Sequence, residues 1–207
     1  DLILFGAYDR FNYGDMMMPL AIARWIERNR PDVLERYRVR YASLSVSDMS
    51  ARDCVPTEAI LDVCKTAPEG SALIVTGGEV VGPTRADLFL HNSKDEHEHR
   101  KIQLMRRRDP AAFDARLEAE LGPLWDYPYL PPKECLPAGG QIILNAIGGS
   151  LPVAEADTQD TRRRRVAEAG YVSVRSQNLF DDLATNGITS AFLAPCAVGL
   201  IAEGYFS

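Results

Sequence analysis

The sequence predicts an α/β fold built on a parallel sheet. Three observations carry that expectation. Short apolar runs suited to buried strands occur at residues 2–5, 72–75 and 141–147. Stretches with helical spacing of apolar positions lie between them. Glycines close the strands, at Gly6, Gly77-Gly78 and Gly148-Gly149. Strands that alternate with helices favour parallel pairing through right-handed crossovers.

Residues 1–29 read as strand, turn and helix. Asn12 and Gly14 are turn formers. Asp15 falls where a helix N-cap is expected, with its carboxylate able to accept from first-turn N–H groups. Met18, Ile22, Trp25 and Ile26 then share one helical face, and Arg24, Glu27 and Arg28 another. Pro19 is compatible with a helix if it lies near the first turn. In an open α/β sheet, ligands bind beyond the carboxyl ends of the strands. Asn12, Gly14 and Asp15 are therefore the first site candidates, although an ordinary cap is the simpler reading of the spacing alone. A phosphate here would suit the helix dipole but would meet the Asp15 carboxylate. Asp15 thus suits a sugar hydroxyl or a backbone cap better than an anion.

Residues 37–43 alternate apolar and charged positions and read as a strand. Pro56 and Thr57 open a predicted helix to Lys65, with Ile60, Leu61 and Cys64 inward. Residues 72–75 are the clearest buried strand and run into Thr76-Gly77-Gly78-Glu79. Gly77 and Gly78 permit positive φ and leave the backbone open to a close ligand, or simply make a tight turn. Glu79 is a catalytic candidate, as a base for a substrate hydroxyl. Capping a helix or pairing with an arginine is the more common role for such a glutamate.

Residues 93–137 read as a helical insertion. Charge is dense over 94–108, and Asp109-Pro110 restarts a helix. Phe113, Leu117, Leu121 and Leu124 then form an apolar stripe that needs cover from the core edge, another domain or another subunit. A homo-oligomer through 113–125 is one expectation. His97-Glu98-His99 sets its imidazoles on different helical faces, which argues against a metal site. Beyond the strand at 141–147, a helix is predicted over 157–169 and a strand over 171–174 that ends at Arg175-Ser176. A short helix over 178–186 and a strand over 191–193 follow.

Composition narrows the function. The 207 residues suffice for one substantial core, and the net charge of −6 gives no support to nucleic-acid binding. No apolar run reaches membrane-spanning length, and the chain does not open on a basic, apolar signal segment. Cys54, Cys64, Cys135 and Cys196 make no metal-binding spacing and read as scattered free thiols of a reducing compartment.

The order of motifs is itself recognisable. Asn12-Tyr13-Gly14-Asp15 opens a helix, Ile74-Val75-Thr76-Gly77-Gly78 ends a strand, and Ile147-Gly148 ends a later one. Val172-Ser173-Val174-Arg175 precedes a helix that finishes in Asn186-Gly187-Ile188, and Ala194-Pro195 follows. Together they resemble the polysaccharide pyruvyl transferase family. The resemblance implies a Rossmann-like N-terminal domain over 1–207, one half of a GT-B-like two-domain arrangement whose C-terminal domain lies outside this sequence. It implies transfer of the pyruvyl group of phosphoenolpyruvate onto two sugar hydroxyls of a polysaccharide or its precursor, in the cytoplasm. The donor is a substrate, so no cofactor or metal is implied. Arg175 becomes the candidate for holding an anion, and Asn12, Gly14, Asp15, Gly77 and Gly78 would line the cleft. The acid/base and most donor contacts would lie in the second domain. Glu79, Ser176 and Cys196 depart from the family, which commonly has Gly, Asp and Asp there. Two rival readings stand beside this one: a GT-B nucleotide-sugar glycosyltransferase, and a degenerate, non-catalytic binding or assembly domain.

Overall fold

Apolar strands dominate the centre of the molecule because parallel strands are buried on both faces. The computed structural model describes residues 1–91, 93, 95–151 and 161–199. Its sheet comprises β1 (Leu2–Phe5), β2 (Val39–Ser43), β3 (Ser47–Asp48), β4 (Pro56–Ala59), β5 (Ala72–Val75), β6 (Gly78–Glu79), β7 (Gln141–Gly148), β8 (Tyr171–Val174) and β9 (Phe192–Leu193). The strand order is β3-β4-β2-β1-β5-β7-β8-β9, with β6 paired to β7. Every pairing is parallel except that of β3 with β4. This is a largely parallel α/β architecture of the Rossmann-like kind.

Helices cover both faces. On one, Ile22 and Ile26 of α1 (Tyr13–Asn29) bury against Leu2 and Leu4. On the other, α3 (Ile60–Thr66), α7 (Thr161–Glu168) and α8 (Gln177–Thr185) pack Ile60, Val63, Val166, Leu179 and Leu183 into one core with Ile3, Phe5, Leu73, Val75, Leu144 and Val174. A further short helix, α2 (Pro31–Arg36), follows α1 and has no buried residues.

The insertion is helical, as its periodicity predicts, and it starts earlier, with α4 (Arg85–His91) ahead of α5 (Glu96–Arg108) and α6 (Pro110–Leu121). Its stripe is covered within the chain. Phe113 and Leu117 bury with Phe89 and Ile102, and the Phe89 and Phe113 rings meet edge to face at 5.5 Å. Leu124 joins the main core with Tyr129 and Leu130 from the segment returning to β7. The insertion's own helices α4 and α5 thus cover Phe113 and Leu117, and the main core covers Leu124. Arg165 of α7 holds the return in place by donating to the Leu130 carbonyl at 2.6 Å.

Three local expectations are corrected. The N-cap of α1 is Asn12, whose Oδ1 accepts from the Gly14 N–H at 3.2 Å, so Asp15 lies inside the first turn. Pro19 consequently sits within the helix, past its first turn, and cannot donate to the Asp15 carbonyl. Residues 56–59 are strand β4 and not the start of a helix; Glu58 and Ala59 pair with Ala42 and Ser43, and α3 begins only at Ile60. Pairing to β2 there overrides the local helical pattern. The helix expected over 157–169 is observed from Thr161, and its residues 157–160 lie outside the described residues.

Candidate functional site

Strand order reverses at β1. The chain steps outward from β1 to β2 and β4, then returns to the other side of β1 as β5. α1 and α3, which serve these two directions, therefore lie on opposite faces, and space opens beyond the carboxyl ends of β1 and β5. A cleft of about 350 Å³ occupies that position. Asn12, Gly14, Asp15, Gly77, Gly78, Glu79 and Arg175 all line it, so the fold brings every residue singled out in the sequence to one place.

The β1 side is held by short-range hydrogen bonds. Asn12 caps α1 through its Oδ1 and donates from Nδ2 to Asp15 Oδ2 at 2.7 Å. The Asp15 carboxylate is half-buried, and burial raises its pKa above the ordinary aspartate value, while Arg175 and Arg10 pull it back. The loop before it is fixed at two points. The fully buried Tyr8 bonds the Thr76 hydroxyl, and Asp9 accepts from the Ser45 N–H at 3.1 Å.

The β5 side depends on missing side chains. Gly77 has φ 120° and Gly78 φ 93°. A Cβ on Gly77 would lie 3.1 Å from Met18 Sδ and 3.4 Å from the carbonyls of Asn145 and Ala146. One on Gly78 would lie 3.3 Å from Asp15 Oδ1. The glycines thus let the backbone lie directly against the carboxylate.

Arg175 follows β8, and its backbone N–H is tied to the Ile147 carbonyl at 3.0 Å. Its guanidinium donates to Glu79, and that bond is the main reason its pKa is raised; the Cys196 thiol beside it adds to the effect. Gly148 lies under this pair, for a Cβ there would come within 2.5 Å of Glu79 Oε1 and 2.6 Å of Arg175 Nε. Ser176 accepts from the Leu179 N–H and caps α8, a role that aspartate also performs.

Three polar lining residues were not indicated as site residues by the sequence: Arg10, His91 and Tyr129. Arg10 pairs with Asp9 at 3.1 Å. Burial works against its charge, but Tyr129, Asp9 and Asp15 together raise its pKa. Tyr129 is 5% exposed and its hydroxyl has no hydrogen-bond partner among the described residues. Burial pushes that phenol up, so it stays a neutral donor in the wall of the cleft. No local pattern marks Tyr129, because the insertion's return delivers it from far along the chain.

The cleft therefore offers carboxylates, guanidiniums, an amide and an unused phenolic donor, a mixture suited to a polar ligand rich in hydroxyls. Among the described residues, no group of three or more His, Cys, Asp or Glu is placed to hold a metal ion, and no helix is long and apolar enough to cross a membrane. A second cavity of about 500 Å³, lined by Ile22, Trp25, Ile74, Ile143 and Pro195 among others, shares no lining residue with the cleft. Comparison of the chain with protein-family models, curated proteins and solved structures finds no match.

Proposed function

We propose that the cleft is the acceptor half of a pyruvyl-transfer site. In this reading the pyruvyl group of phosphoenolpyruvate passes to two hydroxyls of a sugar in a polysaccharide or its precursor, forming a cyclic ketal and releasing phosphate. One observation supports it above the others: the motifs that carry the resemblance, Asn12-Tyr13-Gly14-Asp15, Gly77-Gly78 and Arg175, meet at a single cleft where strand order reverses. Asn12 and Asp15 present an amide and a carboxylate to sugar hydroxyls. Glu79 receives the proton of an attacking hydroxyl. Arg175 and Arg10 attract the carboxylate or phosphate of the donor.

The Glu79–Arg175 pair gives the reading an order of events. Donor anion at Arg175 displaces Glu79, and the released carboxylate becomes available as base. The acid that protonates the enol carbon is assigned to a second domain outside this sequence, in a GT-B-like arrangement working in the cytoplasm. The same pair favours one rival, a binding domain for neutral glycans, since a neutralised guanidinium has less to offer an anion.

Incubating a protein that carries this chain and the second domain with phosphoenolpyruvate and glycan precursors tests the reading. Phosphate release and a ketal signal by NMR are expected, and Arg175→Ala should lower turnover about 100-fold. Unchanged turnover in that variant would reduce Arg175 to scaffolding. Glycan binding without phosphate release would select the binding domain, and consumption of a nucleotide sugar instead would select the glycosyltransferase. Phosphate release by this chain alone would refute the split site.

A further inference from the structure

We infer that Cys64 and Cys135 form a thiol-oxidation site, a dithiol that hydrogen peroxide converts to an intramolecular disulfide. The inference is independent of the cleft's function.

The two cysteines are far apart in sequence but adjacent in the fold. Cys64 lies in α3, and Cys135 ends a short 3-10 turn, Lys133–Cys135, in the return from the insertion. These two elements pack on each other, and both side chains rest partly buried against the main core. Both are free thiols with some solvent access, and each shifts the ionisation of the other. The charge around them is asymmetric. Arg40 is 7% exposed, and it donates to Glu58 at 2.8 Å and to the Thr66 hydroxyl at 3.0 Å. It is therefore a fixed positive charge near the end of α3, next to Cys64. Interaction with the Cys135 thiol lowers the Cys64 pKa; burial opposes this and Arg40 reinforces it. Cys135 moves the other way, chiefly through the same interaction, with burial and Glu134 adding to it and Arg165 opposing. Cys64 is thus the sulfur favoured as thiolate, the form that attacks peroxide, and a second thiol on the packed 3-10 turn is at hand to resolve a sulfenic acid. Cys54 contrasts with both: it is buried, and its thiol donates to the Met16 carbonyl at 3.5 Å.

The chemistry balances with hydrogen peroxide as oxidant. The Cys64 thiolate attacks a peroxide oxygen, the O–O bond breaks, and hydroxide leaves and is protonated to water. Cys64 is then a sulfenic acid. The Cys135 sulfur attacks that sulfur, the S–O bond breaks, and a second water departs with the Cys135 proton. In sum the two thiols lose two electrons and two protons, and the peroxide becomes two waters. The new bond would tie the insertion's return to α3.

The wild-type chain, exposed to hydrogen peroxide, alkylated and digested, tests this by mass spectrometry. A Cys64–Cys135 linked peptide should form before Cys54 or Cys196 is modified, and dithiothreitol should abolish it. Cys135→Ser should stop at a Cys64 sulfenic acid that dimedone traps. Cys64→Ser should slow oxidation of Cys135 about tenfold, because the thiolate is the nucleophile. Even oxidation across all four cysteines, or Cys64 passing to the sulfinic acid without the cross-link in the wild type, would overturn the inference.

Discussion

Tyr129 presents a conflict between stability and use. A hydroxyl shut away from water without a partner costs roughly 1–3 kcal/mol. The native state bears that cost at the wall of the cleft, next to Arg10 and Asp15. Tyr129→Phe removes the unsatisfied atom and keeps the ring packed on Phe5 at 5.9 Å between centroids. The variant should be more stable by about 1 kcal/mol, read as a higher urea midpoint at unchanged m. Ligand affinity in the cleft should fall in the same variant. A lower urea midpoint would mean that the hydroxyl is satisfied in solution.

At the scale of elements, the decisive feature is an irregularity in β7. Its register against β8 shifts between Leu144 and Ile147, and Ala146 takes φ 48° there. The Ser173 hydroxyl stabilises the bulge by accepting from the Ala146 N–H at 2.8 Å. The bulge brings the Asn145 and Ala146 carbonyls up against Gly77. Gly77→Ala must meet these carbonyls at a φ that L residues rarely adopt. It should cost about 1–3 kcal/mol in thermal or chemical denaturation. Gly82→Ala is the control, since among the described residues nothing lies within 4 Å of its added Cβ, and its change should be small. Equal effects from the two variants would show that the bulge imposes no constraint.

Across the whole molecule, Arg40 joins three parts of the fold. From β2 it reaches Glu58 on β4, Thr66 at the end of α3, and the Asp1 carboxylate at 3.2 Å. Its hydrogen bond to Glu58 lowers that carboxyl below the ordinary glutamate range. The sign follows: Glu58 contributes stability that is full above the unfolded value of about 4.3 and is lost as pH falls through the lower native value. Glu58 is half exposed, so solvent screening keeps the effect small. Asp15 acts in the opposite sense, because its raised pKa makes protonation easier in the folded state. Glu58→Gln should therefore flatten the acid limb of stability against pH, followed by urea midpoints between neutral pH and about pH 3. An acid limb as steep as in the wild type would remove Glu58 from the account.

The α/β class, the strands at 2–5, 72–75 and 141–147, and the glycine-closed strand ends were legible in the sequence, because burial on both faces leaves unbroken apolar runs. So were Asn12, Gly14, Asp15, Gly77, Gly78, Glu79 and Arg175 as residues of strand ends. Their convergence was not, since it depends on β5 returning to the far side of β1, and strand order leaves no local pattern. The same limit hid Tyr129 and the Cys64–Cys135 neighbourhood, both made by a return loop landing on distant elements. It also concealed β4, whose strand depends on pairing with β2 and β3. Local chemistry determined which elements form and which groups stand at their ends; long-range packing alone decided which of those groups face one another.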